Sequence, residues 1–324
     1  MKKKLSLGRI LLFLVLIAYT LFLFFPIVTI LITSLIPTEE LASSVDFVWW
    51  SENVSLDAYI AIFEYDSYTD LVGVPGLLLG FFNTLWMTLI PLVIGLIVSG
   101  FSAYAFSKMN FPFKEQLFKF SVIIRSIPLG AFGVISYVFY SVIGWTGENG
   151  MLPLIIPGML GSLGTMFFLR LFFDGIPNSL IEAATLDGAG FFQCFTKIMM
   201  PLAKPAFIAQ FIFGFVGGYN SYMGPMLYLQ NAPEYVTLQL YLSQIGSLFP
   251  NLGSQNIHSA AAILGMLPLI IIYCCLQKYC MKGVSDGSVK EQSGGVHNEN
   301  DSRFCTFIGS SYSIFLRSVD RMPI

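Results

Sequence analysis

The sequence predicts an all-α, polytopic membrane protein with six transmembrane helices. Three observations lead there. Hydrophobic residues make up 55% of the 324 residues and charged ones only 11%, against about a quarter charged in ordinary soluble domains. Mean hydropathy is +0.73. Apolar stretches of roughly 20 residues, the length that crosses a bilayer as a helix, recur six times, and the basic residues between them alternate from one side to the other.

The first span, about 10–36, follows "MKKK", which resembles the basic start of a secretory signal. Its apolar stretch from Ile10 to Ile36 is much longer than the roughly 7–15 residues of a cleaved signal, so it is expected to remain as an anchor. The other spans are about 76–106, 118–144, 151–173, 205–228 and 258–277. Lys2, Lys3, Lys4 and Arg9 precede the first; Lys108, Lys114 and Lys119 stand between or beside the second and third; Arg170, Lys197 and Lys204 flank the segment between the fourth and fifth. Six more bases follow the sixth span, whereas the loops 37–75, 145–150 and 229–257 contain none. Basic residues stay on the cytoplasmic side, so both termini and the loop 174–204 are expected there. The outer loop 37–75 carries eight acids and no base; its Trp49 and Trp50 suit a membrane interface, and "SLDAYIAIFE" suits a short helix lying on it.

The 19 acids all fall outside the apolar stretches. Ion-coupled carriers often bury a carboxylate, because a charge at that depth is costly and is kept for function; its lack here weakens a stand-alone secondary transporter without excluding it, since backbone carbonyls also hold ions. No G-x-x-x-x-G-K-[ST] loop is present to cradle nucleotide phosphates. The two histidines, His258 and His297, lie at a span end and in a tail, with no Ser/His/Asp grouping, zinc-protease motif or paired membrane aspartates. Five cysteines, Cys194, Cys274, Cys275, Cys280 and Cys305, show no metal-ligand spacing and read as reduced. No catalytic residue, metal, cofactor or nucleic-acid partner is expected, and any uphill transport must draw its energy from another polypeptide on the cytoplasmic side.

The run "EAATLDGAGFFQCFTKIMMP", Glu182 to Pro201, is the polar interruption where that energy would enter. Pro177 suits a helix start, and Ser179 followed by Glu182 matches a capping box. Gly188 and Gly190 end the helix because glycine tolerates the left-handed conformation. A second helix runs to Pro201, carrying Phe191, Phe192 and Phe195, and Asp187 is a candidate cap for it. Exposed aromatics with two acids form a surface that a partner should cover. An ordinary capped helix pair between two spans is the simpler alternative.

Glu182-Ala183-Ala184, three residues, Gly188, nine residues, Ile198, one residue, Met200-Pro201 resembles the EAA loop of ABC importer permeases, with Met200 in place of the usual leucine. The flanks "LRLFFDGIPNSLIEAATLDGAG" and "PLAKPA", with "FPIVTILITS", "FFNTL", "SAYAFSKMNFP" and "GGYNSYMGPMLYL", are similar to the smaller permease of the maltose-importer type. The resemblance covers about 10–290. It implies the type I ABC importer permease fold in a bacterial or archaeal cytoplasmic membrane. It also implies a second homologous permease, two ATP-binding subunits, an extracytoplasmic sugar-binding protein and a sugar substrate. The coupling residues it marks are Glu182, Ala183, Ala184, Asp187, Gly188, Phe195 and Pro201. Permeases for glycerol phosphate, a polyamine or an amino acid remain alternatives.

Candidate translocation-path residues are Asn83, Arg125, Tyr137, Tyr219, Asn220 and Tyr222, since aromatic faces and amides suit sugar rings and hydroxyls. Tyrosines near span ends equally serve as interface or packing residues. Arg125 departs from the resemblance, where an apolar residue is usual, and Tyr219 and Ser221 stand where tryptophan and aspartate are common. Arg125, about 10 Å inside its span, either snorkels to the cytoplasmic interface or serves the path or a partner contact. The chain is thus read as a cytoplasmic start, 1–9, a permease domain, 10–290, and a tail, 291–324, whose "SGGVHNENDSR" reads as a disordered linker.

Overall fold

The computed structural model describes residues 7–43, 48–64, 67–127, 133–230, 232–249 and 255–293. Regular structure among them is helical throughout. The chain divides into a large unit, Met1–Cys280, and a small one, Met281–Ile324. The tail from residue 294 lies outside the described residues, so the reading of it as a linker does too.

In chain order the helices are α1 (Leu7–Ser34), α2 (Thr38–Ser43), α3 (Asp57–Glu64), α4 (Ser67–Val72), α5 (Gly76–Lys108), α6 (Lys114–Ser126), α7 (Gly133–Val142), α8 (Leu152–Met159), α9 (Leu163–Asp174), α10 (Asn178–Leu186) and α11 (Phe191–Cys194). Then come α12 (Met200–Leu202), α13 (Lys204–Tyr219), α14 (Met223–Tyr228), α15 (Leu238–Leu248) and α16 (Gln255–Ser293). Among the described residues, four stretches are long and apolar enough to cross a membrane: Leu11–Ser34, Gly76–Lys108, Gly147–Asp174 and Gln255–Cys275. A fifth is the pair Phe191–Leu202 and Lys204–Tyr219, bent by 79°. The expected third span consists of α6 and α7, separated by residues 128–132, which are not described.

The 33-residue α5 is the axis of the fold. Along it α8, α9, α13 and α15 pack closely, and small residues set that closeness: a Cβ at Gly95 would lie 2.2 Å from the Gly158 carbonyl oxygen. Membrane helices approach most closely at such positions. Opposite them the fourth span breaks between α8 and α9. Gly161 takes φ +87, and the Ser99 hydroxyl accepts from the Ser162 N–H at 2.8 Å and donates to the Ser162 carbonyl at 3.3 Å. Backbone freed inside a membrane must find such partners. The single helix expected over 151–173 is therefore two helices with a braced bend. The fifth span also differs from its expected range of 205–228, because the helix stops at Tyr219 and resumes at Met223.

In the loop 37–75, α3 is the short helix expected near the interface, but it packs inward: Ala58, Ala61 and Ile62 are buried with Tyr219, Tyr241 and Ile245. Trp49 and Trp50 remain 62% and 68% exposed, as interface residues do. Asn256, fully buried, donates to the Ile36 carbonyl at 3.1 Å and to the Thr38 hydroxyl at 2.9 Å. That pins the end of α1 to the start of α16. Residues 11–28 of α1 are otherwise exposed, leaving an apolar helix to face lipid or another subunit.

Candidate functional site

The loop joining the fourth and fifth spans is built from its base outward. Arg170 pairs with Asp174 one turn on, at 3.4 Å, and Ser107 at the end of α5 donates to the same carboxylate at 2.5 Å. The next residue of α5, Lys108, donates to the Ile176 carbonyl and, at 2.8 Å, to the Asn178 side-chain oxygen. The lysine thus clamps the entry to α10. Helix α10 begins at Asn178, directly after Pro177, and no side chain caps it. Ser179 is therefore already inside the first turn, which corrects the expected capping box.

Gly188, at φ +84, ends α10. Its N–H donates to the Thr185 carbonyl at 3.0 Å and the Ala189 N–H reaches back to Ala184 at 2.9 Å, the bonding pattern of a Schellman cap. A Cβ at position 188 would meet nothing within 4 Å, so the glycine is needed for its backbone angle and not for space. The next helix is capped by Gly190, whose N–H donates to the Gln193 side-chain oxygen at 3.3 Å. Asp187 is the C-terminal cap position of α10, so the expectation that it caps the second helix is corrected.

The second arm runs through α11, a π-helical turn at Phe195–Met199, and α12. Pro201 has no N–H for the Lys197 carbonyl, and its ring crowds that oxygen; the wider turn just before it accommodates both. The arm's aromatics are mostly turned inward. Phe195 is fully buried, 4.1 Å from Phe101 between ring centres, with Phe173 and Phe207 also against it. Phe191 lies 4.9 Å from Tyr104. Only Phe192, 66% exposed, keeps the expected outward position. The free tip carries Glu182, Ala183, Asp187 and Gly188, all exposed, while Ala184 faces the core. Neither acid has an ion-pair partner among the described residues. Leu186 stands 89% exposed beside them. The sequence reading missed it, although an apolar residue directly before an Asp-Gly stop is a signal in itself.

The six path candidates separate. Burial sets two apart. Asn83 is 7% exposed and donates to the carbonyls of Glu234 and Val236, both at 2.9 Å, while accepting from Trp86 at 3.1 Å. Tyr219 is 1% exposed and donates to the Gly265 carbonyl at 2.9 Å. Asn83 ties α5 to the segment before α15, and Tyr219 ties α13 to α16. Tyr137 stacks on Tyr228, which meets Tyr140 edge-on, and Tyr140 lies parallel to Trp145. Arg125 does not run back along α6. Its guanidinium crosses to α9, where a Cβ on Gly164 would overlap it and the Phe167 ring lies 5.8 Å away. Asn220 and Tyr222 are exposed in the break of the fifth span, Asn220 accepting from Gln239 at 3.2 Å.

Residues 92–286 match the family described as binding-protein-dependent transport system inner membrane component. The chain is 29% identical over 270 residues to a probable ABC transporter permease of Pyrococcus horikoshii, covering 82% of this chain and 92% of that one. It is 29% identical over 286 residues to the arabinooligosaccharides transport system permease AraQ of Bacillus subtilis, covering 88% and 97%. With the maltodextrin transport system permease MalD of Streptococcus pneumoniae it shares 30% over 210 residues, 65% of this chain and 74% of that one. Among solved structures it is similar to a chain of a bacterial ABC transporter involved in import of the acidic polysaccharide alginate. There the TM-score is 0.70 at 22% identity, over 85% of this chain and 98% of that chain.

Proposed function

Since the chain belongs to the family of binding-protein-dependent transport inner membrane components, we propose that it carries sugars or oligosaccharides inward as one half of the membrane channel of an ATP-driven importer. The relatives named for arabinooligosaccharides and maltodextrin support a carbohydrate cargo. The rest of the assembly is a second, homologous permease, two ATP-binding subunits and an extracytoplasmic sugar-binding protein. Both termini and the α10–α11 loop face the cytoplasm, as the distribution of lysine and arginine favours. Chemistry on ATP belongs to the partner; this chain converts a push on its loop into movement of its spans.

The observation that carries the reading is the loop's construction. Its tip is exposed and unpaired, with Glu182, Leu186 and Phe192 outward, while Phe195 and Phe191 fasten its other side to α5 and α9. A tip that moves with an ATPase therefore drags the axis helix and α13 with it. Sugar access alternates between the two sides as the relative populations of two states shift. The test is reconstitution of the assembled importer into liposomes, with ATP supplied on the ATPase side. Accumulation of a neutral oligosaccharide that requires ATP and the binding protein is expected. Transport by this chain alone in ATP-free vesicles, or a co-purifying complex that accumulates glycerol phosphate, a polyamine or an amino acid in place of sugars, overturns it.

A further inference from the structure

Two arginines lie within the expected spans, Arg125 on α6 and Arg170 on α9, and the fold provides for them unequally. Arg170 pairs with Asp174 at 3.4 Å and lies 3.8 Å from the centre of the Phe118 ring. Among the described residues Arg125 has neither an ion pair nor a hydrogen bond. Its side chain is exposed and crosses to the first turn of α9, where a Cβ on Gly164 would overlap the guanidinium. Free N–H groups give that turn a partial positive charge, so the nearest backbone repels a cation. The Phe167 ring, 5.8 Å away, lies at the far limit of a useful cation–π contact.

Depth decides what can meet this charge. Lys108 at the end of α5 holds Asn178 just past α9, and Lys114 at the start of α6 donates to the Met109 carbonyl at 2.9 Å. The ends of α5 and α9 and the start of α6 therefore share one edge of the bundle. At 1.5 Å per residue, Arg125 stands about 16 Å from Lys114 along α6, and Gly164 about 15 Å from Asp174 along α9. Both measures put the guanidinium near the middle of a hydrocarbon layer of about 30 Å, where a charge needs a partner. This chain has none to give: its 19 acids all lie outside the apolar stretches, and residues 128–132, which follow α6, include no acid. Phospholipid phosphates lie beyond the hydrocarbon, and the side chain crosses to α9 instead of running along α6 toward that edge. A neutral sugar brings no counter-charge, and ATP-binding subunits stay outside the bilayer. What remains is the membrane part of another subunit. Helix α6 is open to one, since none of its residues is buried and Leu117, Phe120 and Ile123 stand exposed.

We propose that the second permease subunit presents a carboxylate to Arg125 in the middle of the membrane, forming an ion pair across α6 that fixes the register of the two subunits. The proposal rests on the reading of this chain as one half of the importer's channel. The experiment uses the whole importer, purified through a tag on this chain, with the photoreactive residue p-benzoylphenylalanine in place of Arg125. Irradiation is expected to join the two permeases, at a point within about one helical turn of an aspartate or glutamate of the second. Without the photoreactive residue, Arg125→Glu should lower the amount of second permease retained by at least about tenfold, because a buried pair changed on one side leaves an uncompensated charge. Arginine at the cross-linked acid should restore retention, and Arg125→Lys, which keeps the charge, should never lose it. Cross-links to phospholipid or to this chain alone overturn the pair and leave the importer reading intact, as does full retention by Arg125→Glu. A loss that the reversed partner charge does not restore makes Arg125 a residue of this chain's own fold and overturns the pair as well. Sugar import by a complex that contains no second permease overturns both.

Discussion

Gly188 is the position where the coupling reading can be tested most sharply, because its contribution reduces to one backbone angle. At φ +84 with open space around the missing Cβ, a side chain meets no neighbour. It meets only its own backbone, at roughly 1–2 kcal/mol for an ordinary L-residue and more for a β-branched one. If the turn opens instead, two cap hydrogen bonds go, from Gly188 to Thr185 and from Ala189 to Ala184, each worth about 0.5–1.5 kcal/mol net. Gly188→Val should therefore disfavour the formed turn, relative to the open one, by about 2 kcal/mol. At 1.4 kcal/mol per factor of ten, the correctly formed loop becomes about 30-fold rarer relative to the open form. Asparagine, which visits the left-handed region routinely, should be the mildest replacement, alanine intermediate and valine the worst. The assay is sugar accumulated per ATP hydrolysed in proteoliposomes, with membrane insertion checked separately. Since Phe191 and Phe195 anchor the arm independently of this turn, insertion should persist while coupling falls. Valine that transports like the parent sinks the argument; asparagine worse than valine would show that size, not φ, matters there.

Three further outcomes follow from the same geometry. Phe195→Ala empties a fully buried site, so it should cost about 3–5 kcal/mol and lower the thermal midpoint of the purified complex, whereas Phe192→Ala at an exposed position should leave that midpoint unchanged. Leu186→Asp, at 89% exposure, should change stability by no more than about 0.5 kcal/mol yet release the ATPase on size-exclusion chromatography; full retention argues against a docked tip. Ser99→Ala strips both partners from Ser162 in the bend of the fourth span, and about 1–3 kcal/mol of destabilisation is expected from the orphaned backbone, read as a lower melting temperature. A variant as stable as the parent would show that the bend does not depend on Ser99.

Composition and charge placement made the membrane class legible, because hydropathy reports side chains and bases mark the cytoplasmic face. The breaks at Gly161 and at residues 220–222 were not legible for the same reason: a helix can stop while its side chains stay apolar. What braces the first break, Ser99, lies 63 residues away from Ser162, beyond any local pattern. The inward turn of the second arm was readable in principle, since Phe191, Cys194, Phe195 and Met199 recur at helical spacing and all but Phe191 are buried. The rule that exposed aromatics await a partner was applied to residues that already had one. The capping box failed by one residue: Asn178, fixed by Pro177 and Lys108, starts the helix before Ser179 can cap it.

Helix α13 joins the loop between the fourth and fifth spans to the break in the fifth. Its 16 residues span about 24 Å at 1.5 Å per residue. At one end, after Ala203, it meets the coupling arm at 79°; at the other it stops at Tyr219, and the unwound stretch carries Asn220, Ser221 and Tyr222. Phe207 near the first end packs with Phe195 and Phe173, so a displaced loop moves that end directly. Near the far end Tyr219 is tied to α16 through the Gly265 carbonyl, which resists sliding and favours rotation about that point. Rotation there changes the position of the unwound stretch at residues 220–222 relative to α5. On the proposed coupling role, a push at the tip is thus expected to reach that stretch at the far end of α13.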